Sequence, residues 1–374
     1  MSLRDNYGEY PKEFRKNIRE RDRERSSGKH KHGKTRKVIG YIVCAILLVL
    51  VGMLAGFGVR YKKETAKILD YDNFSLDESK LNEKLDTAPV LKDSGSQIQY
   101  NGKTYNLNRN IITLGFIGID KSEFSLEGNE IGTAGQADVI VLAVYDTVMG
   151  TLRFLAIPRD SVADIDVFDV SGGFVGVKEG QICLAYAYGD GKEQSAQNVL
   201  TSVSRLLFGI KTNYYATMEL SGISSLNDAI GGISLKSIET IGSFEKGKTY
   251  TLWGDKAEEY VRNRRQDIID ADSYRQKRQR QYFEKFFDKV LENSKSSLSF
   301  VSSFYKTASQ YVITNLDLNE TLFLASNALK TDLTIIDYQT VPGKYTKSGK
   351  YAEYNVDSTE LFEMILDLFY TEAL

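Results

Sequence analysis

The residues best suited to chemistry form an arginine-rich segment in the second half of the chain. Six arginines and one lysine fall within residues 261–281, and both histidines of the chain, His30 and His32, lie in the N-terminal tail. Planar guanidinium cations at fixed spacing bind multi-oxygen anions such as phosphates. A triad with a histidine base and a histidine-ligated metal centre are therefore not expected in the main body.

Helical spacing divides these cations into two groups. Arg262 and Arg264 share a face only if the chain is extended, so a functional pair implies an extended segment. One face of the next helix is first cationic and then apolar: Arg275, Arg278, Gln279, Tyr282, Phe283, Phe286 and Val290. Its cationic turns lie near the positive end of the helix dipole, which suits an anion. The remaining cations, Arg265, Lys277 and Arg280, are interpreted as surface charge; the alternative is that the whole run is solvated.

A second polar set lies at the ends of three apolar runs of strand length, residues 111–120, 139–145 and 151–157. The link between the last two is short enough for a hairpin. If the first strand is parallel to the third, Asp120, Asp138 and Arg159–Asp160 share one sheet edge. Carboxylates face phosphate most readily through a divalent ion such as Mg²⁺. The alternative is that these acids are caps, turn residues or ion-pair partners of Arg159.

The elements that must hold these residues alternate between strands and helices. The three apolar runs are too continuous for a sheet with one wet face, so helices should cover both faces. This pattern predicts an α/β fold, a single α/β/α sandwich with a mixed central sheet. Helices are predicted over 193–207, 220–230, 256–264, 273–291, 297–312, 318–329 and 358–369, with strands at 214–218 and after Gly231–Gly232.

Residues 38–59 contain no charge or proline and are long enough to cross a bilayer as one transmembrane helix. Residues 1–37 carry 13 Lys/Arg against 6 Asp/Glu, which predicts a cytoplasmic tail and an extracytoplasmic body. A juxtamembrane stalk with a small hairpin is expected over 60–105, and the main extracytoplasmic domain over 106–374. We read the basic tail as a topology signal and expect no binding of nucleic acid.

Cysteine usage fits this placement. The chain has two cysteines, Cys44 inside the predicted span and Cys183 in the body, so the exported part cannot form an internal disulfide. Its size permits a core that is stable without one. The expected location is a bacterial cell membrane, in a Gram-positive envelope, with the main domain outside.

The ordered motifs resemble those of the LytR-CpsA-Psr family of bacterial envelope proteins. They are GID ending at Asp120, AD at Asp138, IPRDS at 157–161, AYAYGDG at 185–191, DAIGGIS at 228–234, VRNR at 261–264, DxxRxxRQ at 272–279 and VPG at 341–343. The resemblance implies an extracytoplasmic phosphotransferase with an α/β/α fold. It would move a glycan-1-phosphate of a teichoic acid, capsule or other wall polymer from an undecaprenyl pyrophosphate carrier to peptidoglycan.

The resemblance also implies roles for individual residues. Those implied to hold the pyrophosphate and act in catalysis are Asp138, Arg159, Arg262, Arg264, Arg275 and Gln279, with Asp160, Asp272 and Arg278 in support. Asp120 and Asp138 are the implied ligands of Mg²⁺, and either could be the base. Family members often carry an arginine where this chain has Gln136. That departure keeps open a binding module without turnover, and a lipid-pyrophosphate hydrolase is a further alternative.

Overall fold

The computed structural model describes residues 75–121, 131–219, 221–263, 271–296, 298–348 and 351–373, a mixed α/β fold. Its helices are α1 (Glu78–Lys84), α2 (Glu193–Leu206), α3 (Ser221–Ala229), α4 (Asp255–Arg262), α5 (Ala271–Ser296), α6 (Leu298–Ala308), α7 (Leu318–Lys330) and α8 (Ser358–Phe369). Within these ranges no helix is long and apolar enough to cross a membrane. The predicted span at 38–59 lies outside the described residues.

The strands divide between one large sheet and four small ones. They are β1 (Val90–Lys92), β2 (Gln97–Tyr100), β3 (Lys103–Leu107), β4 (Ile111–Ile119), β5 (Ala137–Asp146), β6 (Thr151–Ile157), β7 (Val162–Phe168), β8 (Phe174–Gln181), β9 (Tyr214–Met218), β10 (Ile233–Lys236), β11 (Thr249–Leu252), β12 (Val312–Thr314), β13 (Thr334–Thr340), β14 (Gly343–Ser348), β15 (Tyr351–Val356) and β16 (Tyr370–Glu372). The large sheet has the order β12-β9-β4-β5-β6-β13 and is mixed.

The centre of the large sheet confirms the predicted strand directions. Strand β5 is antiparallel to both β4 and β6, so β4 and β6 run the same way, and β9 and β13 run parallel to them. The β5–β6 hairpin closes because Oδ1 of Asp146 accepts hydrogen bonds from the backbone N–H groups of Val148 and Met149, at 2.9 and 2.8 Å. Gly150 then adopts a positive φ of 67°.

Two apolar clusters lie against the sheet, and both contain helices. Every residue of β4 and β5 is buried. Alternate side chains of β5 join different clusters, one with α3 to α7 and the other with α1, α2 and α8. Helix α2 packs so closely on β4 that a Cβ on Gly115 would lie 2.6 Å from Leu200 Cδ2. Helices therefore cover both faces, as the continuous apolar runs indicated.

The segment before the large sheet is built into the body of the domain. The predicted hairpin is β2–β3, and β3 also pairs with the C-terminal strand β16, in the register Tyr370 to Leu107. Leu81 of α1 is fully buried in the same cluster as α8. Two further hairpins, β7–β8 and β14–β15, follow the central strands and were not predicted.

Candidate functional site

The first part of the candidate site is the sheet edge where β4 ends, β5 begins and β6 ends. The β5–β6 register pairs Ile140 with Ile157, and extending it by two residues sets Asp138 opposite Arg159. Pro158 lacks an N–H group and ends the ladder between them. The β4–β5 register pairs Ile119 with Ala137, which brings Asp120 to the same edge. The convergence predicted from the three strand ends is therefore present.

Arg159 is the centre of this edge. Its Nη1 forms an ion pair with Oδ1 of Asp138, whose side chain is completely buried, whereas the Arg159 side chain keeps 19% exposure. Its Nε lies 3.6 Å from Oδ1 of Asp160, and its Nη2 lies 3.6 Å from the buried sulfur of Cys183. A guanidinium held from several sides loses little further entropy when it binds an anion. Arg159 is thus pre-positioned with its exposed part available to a ligand.

Gln136 connects Arg159 to Asp120. Its Oε1 accepts a hydrogen bond from Arg159 Nη2 at 2.5 Å. Its backbone N–H donates to Oδ1 of Asp120 at 2.8 Å, and its carbonyl accepts from the N–H of Asp120 at 3.2 Å. The residue that departs from the family pattern therefore accepts a hydrogen bond from the neighbouring arginine.

Asp160 and Cys183 are held beside Arg159 by hydrogen bonds to residues of other segments and to the backbone of Arg159. Gln181 donates from Nε2 to Oδ1 of Asp160 at 3.0 Å and to the carbonyl of Ala352 at 2.7 Å. Tyr354 donates its N–H to the carbonyl of Asp160 at 2.8 Å. Cys183 donates its N–H to the carbonyl of Arg159 at 3.1 Å, and burial raises the pKa of its thiol to about 11. Asp160 is thus held beside Arg159 by Gln181 and by the backbone of Tyr354.

The second part of the candidate site lies where α4 ends against α5. All seven predicted residues of the α5 face are buried, from Arg275 at 6% exposure to Val290 at 0%. Lys277 and Arg280, which lie off that face, are exposed as expected. Helix α4 ends at Arg262, and Asn263 is extended, with φ of −58° and ψ of 138°. The chain after Arg262 therefore leaves the helix, as a functional pair with Arg264 required.

Arg278 is the structural residue of this second part. It is 1% exposed, its Nε donates to Oε1 of Glu239 at 2.5 Å, and its other nitrogens donate to the carbonyls of Tyr260 and Asn263. Desolvation by burial lowers the pKa of Arg278, and the Glu239 carboxylate opposes that shift. These bonds satisfy carbonyl groups at the end of α4 that have no helical partner. Arg278 thus supports Arg262 by holding the end of its helix.

The other cationic and polar residues of this part lie around the same helix end. Gln279 donates from Nε2 to the carbonyl of Val261 at 3.0 Å. Arg262 forms an ion pair with Glu258 one turn earlier in α4. Arg264 lies outside the described residues, and Asp272 lies in α5. The apolar neighbours of the two parts, Val139 beside Asp138 and Val261 beside Arg262, belong to one hydrophobic cluster.

In the first part of the candidate site, the protein could supply only some of the ligands of a divalent cation. No group of three or more acidic, histidine or cysteine side chains that could hold a metal occurs among the described residues. Asp138 keeps a buried carboxylate oxygen, Oδ2, that accepts no hydrogen bond from that part of the chain. Mg²⁺ commonly takes only one or two carboxylates and completes its shell with phosphate oxygens and waters. Asp120 and Asp138 fit such a site if a pyrophosphate supplies the remaining ligands.

Sequence reasoning missed the residues that position the cations. Glu239, the partner of Arg278, lies between two short strands and has no periodic or motif signal. Gln181 ends the β7–β8 hairpin, which was not predicted, and Cys183 follows it. Gln136 was noticed only as a departure from the family pattern, although its place beside Asp138 at the start of a strand was a signal that it faces the same edge.

Comparison with known proteins identifies the family of this chain. The sequence model described as the LytR_cpsA_psr family matches residues 74–368. The polyisoprenyl-teichoic acid–peptidoglycan teichoic acid transferase TagU of Enterococcus faecalis is 25% identical over 328 residues, 86% of this chain and 88% of that protein. TagV of Bacillus subtilis, of the same printed function, is 26% identical over 302 residues, 78% of this chain and 66% of that protein. A TagU from Halalkalibacterium halodurans is 28% identical, and the match spans 62% of its length.

Solved structures show the same fold. The crystal structure of protein gbs0355 from Streptococcus agalactiae superposes with a TM-score of 0.56 at 21% identity, over 71% of this chain and 91% of that one. The crystal structure of Bacillus subtilis TagV gives a TM-score of 0.51 at 21% identity, over 69% and 95%. With the family sequence model spanning most of the chain, this protein belongs to the LytR-CpsA-Psr family.

Proposed function

We propose that this protein is a membrane-anchored extracytoplasmic phosphotransferase. In this proposal it moves a glycan-1-phosphate of a wall polymer from an undecaprenyl pyrophosphate carrier to peptidoglycan. The relatives' printed names, which specify a polyisoprenyl-linked teichoic acid and peptidoglycan, support this assignment. The observation that carries it is Arg159, held by Asp138 and Gln136 at a sheet edge with part of its side chain exposed.

The proposed reaction breaks one bond of the pyrophosphate and forms one phosphodiester bond. A hydroxyl oxygen of the acceptor attacks the phosphorus that carries the glycan, and the bond from that phosphorus to the bridging oxygen breaks. Undecaprenyl monophosphate leaves, and the hydroxyl proton passes to a carboxylate. Such transfers depend on charge neutralisation and in-line positioning more than on a covalent intermediate. Arg159, Arg262, Arg264, Arg275 and Gln279 are proposed to contact the pyrophosphate oxygens.

The geometry supports different roles for the two acids. The Asp138 side chain is completely buried and paired with Arg159, which suits it to orient the guanidinium. Asp120 is partly exposed at the same edge, so it is the better candidate to take the acceptor proton. Mg²⁺ held by Asp120, Asp138 and phosphate would neutralise charge on the pyrophosphate. Supporting roles are proposed for Asp160, Asp272 and Arg278.

The proposed placement follows from the N-terminal sequence. Residues 38–59 would anchor the chain as a single transmembrane helix, the basic tail would lie in the cytoplasm, and an α/β/α sandwich would act outside the cell. The expected setting is a Gram-positive envelope. The transferred polymer would then reach the site from the same membrane that holds the enzyme.

The test compares substitutions of two arginines, Arg159 just after β6 and Arg153 within β6. Full-length protein in nanodiscs receives a polyprenyl pyrophosphate-linked glycan, Mg²⁺ and peptidoglycan, and the release of polyprenyl monophosphate is measured. Arg159→Lys is expected to lower the rate by about a hundredfold or more, because a lysine cannot satisfy the same planar set of partners. Arg153→Lys is the control, since Arg153 pairs with Asp337 and Asp367 instead. Equal rates for both variants would contradict the proposed role of Arg159.

A further inference from the structure

The β7–β8 hairpin ends in an exposed apolar surface that the proposed reaction does not use. This surface, here called the apolar tip, consists of four residues with high exposure: Val170 94%, Phe174 61%, Val175 55% and Val177 48%. Phe168 packs against Phe174 with ring centroids 5.7 Å apart. A monomer in water rarely exposes adjacent large apolar side chains without a partner. The apolar tip is therefore a candidate interaction surface.

The polar groups of the turn between β7 and β8 form hydrogen bonds with one another. Asp169 is the single ionisable residue from Phe168 to Val177. Its Oδ1 accepts hydrogen bonds from the N–H groups of Ser171 and Gly173, at 2.8 and 2.9 Å, and from the Ser171 hydroxyl at 2.6 Å. The carboxylate holds the turn and stays in contact with water. A surface of this kind suits the boundary between lipid headgroups and acyl chains, where a charge can remain hydrated.

The base of the β7–β8 hairpin adjoins the first part of the candidate site. Strand β7 begins directly after Ser161, and Gln181 at the end of β8 donates to Asp160. Six residues separate the base of β7 from Phe168, which at about 3.3 Å per residue is roughly 20 Å. Whatever surface the apolar tip binds is thus held at a fixed distance from Arg159.

The N-terminal end of the described domain lies beside the same hairpin. Lys80 of α1 forms an ion pair of 2.5 Å with Asp164 of β7. Fifteen residues, 60–74, separate the predicted span at 38–59 from Ser75. Even fully extended they reach roughly 50 Å. The predicted span therefore ends within about 50 Å of Ser75, on the side of the domain where α1 contacts β7.

We propose that the apolar tip docks into the outer leaflet of the membrane that holds the anchor. This inference rests on the proposed transmembrane anchor. The predicted helix at 38–59 and the hairpin would then form two attachment points, and the second would orient the Arg159 edge toward the polyprenyl pyrophosphate. The four side chains of the apolar tip would lie at the boundary between headgroups and acyl chains, buried by about 5–10 Å.

The test uses single tryptophan substitutions in the full chain. Phe174→Trp and Met149→Trp are each reconstituted into phosphatidylcholine vesicles that contain lipids brominated near the top of the acyl chain, with wild-type Trp253 fluorescence subtracted. Met149 is the matched control because it is 69% exposed and lies in the β5–β6 turn, at the opposite edge of the sheet from the site. Bromolipid is expected to quench the Phe174→Trp signal at least twofold more. Equal quenching of the two variants overturns the proposal. The proposal also fails if the Phe174→Trp side chain is shielded from water without lipid, and only when the protein dimerises.

A second measurement separates this inference from the proposed function. Phe174→Asp is expected to slow transfer from a long-chain donor in the bilayer by about tenfold, because an inserted carboxylate disfavours docking. Transfer from a short-chain, water-soluble donor is expected to be unchanged. If no variant transfers either donor while Phe174→Trp is quenched, the proposed function fails and the docking holds. If Phe174→Asp slows both donors equally, docking does not govern access to the donor.

Discussion

Replacing Glu239 with alanine is expected to destabilise the protein more than any exposed charge substitution on α5. Glu239 is 5% exposed and is the carboxylate partner of Arg278, which is 1% exposed. After the substitution, the acceptors left to Arg278 among the described residues are the carbonyl groups of Tyr260 and Asn263. A buried cation would then lack a counter-charge in a region that excludes water.

The magnitude follows from the burial of both partners. Removing one partner of a buried ion pair costs about 3–5 kcal/mol. For a chain of this length, at roughly 2 °C per kcal/mol, this lowers Tm by about 6–10 °C. Glu284→Ala is the matched control because it also removes a carboxylate partner of an α5 arginine, Arg280, but both members are about half exposed. Loss of that pair costs only about 0.5 kcal/mol.

The assay is thermal unfolding of the full-length protein in detergent micelles, followed by circular dichroism. Glu239→Ala, Arg278→Ala, the double variant and Glu284→Ala are compared with the wild type. The two single substitutions are expected to be strongly non-additive, with a coupling of at least about 1 kcal/mol. If Glu239→Ala and Glu284→Ala lower Tm by the same small amount, the reasoning about the buried pair is refuted.

Three further predictions concern individual side chains. Gln136→Ala removes an acceptor of Arg159 and is expected to lower kcat about tenfold at normal Tm, from a hydrogen bond of about 1.5 kcal/mol; an unchanged rate would contradict its positioning role. Burial raises the pKa of the Cys183 thiol to about 11. In a Cys44→Ser variant, Cys183 is therefore expected to react with maleimide at pH 8 at least about a hundredfold more slowly than the free amino acid cysteine. Fast labelling of the folded protein would contradict its burial. The hydrogen bond from Lys80 lowers the pKa of Asp164 below its usual 3.8, so its stabilisation is present above the unfolded pKa and is lost as pH falls below about 4. The Tm difference between wild type and Asp164→Asn should therefore shrink from pH 5 to pH 3.

Most of the correct structural predictions came from the spacing of apolar residues within single strands and helices. The continuous apolar runs around Asp138 and Arg159 allow only buried strands, and the short link between them enforces an antiparallel pair, so the two residues must meet. The helical spacing after Asp272 likewise determined which α5 residues are buried. In both cases the information lies within about twenty residues of sequence.

The remaining features depend on contacts between distant segments. The pairing of β16 with β3 joins Tyr370 to Leu107, and no local pattern specifies it. The helical spacing predicts Arg278 on an anion-binding face, whereas in the structure it pairs with Glu239, 39 residues earlier. Buried polar partners are chosen by tertiary packing, so a cationic stripe alone does not distinguish an anion contact from a structural ion pair.

The linkage formed on peptidoglycan tests the central claim most directly. Full-length protein in nanodiscs is incubated with a ³²P-labelled polyprenyl pyrophosphate glycan, Mg²⁺ and peptidoglycan, and the digested wall fragments are analysed by mass spectrometry. We expect a phosphodiester between the glycan and a peptidoglycan sugar, with one polyprenyl monophosphate released for each adduct. Free glycan phosphate without an adduct would identify a hydrolase, and intact donor bound to the protein would identify a binding module. Either result would contradict the proposed transferase.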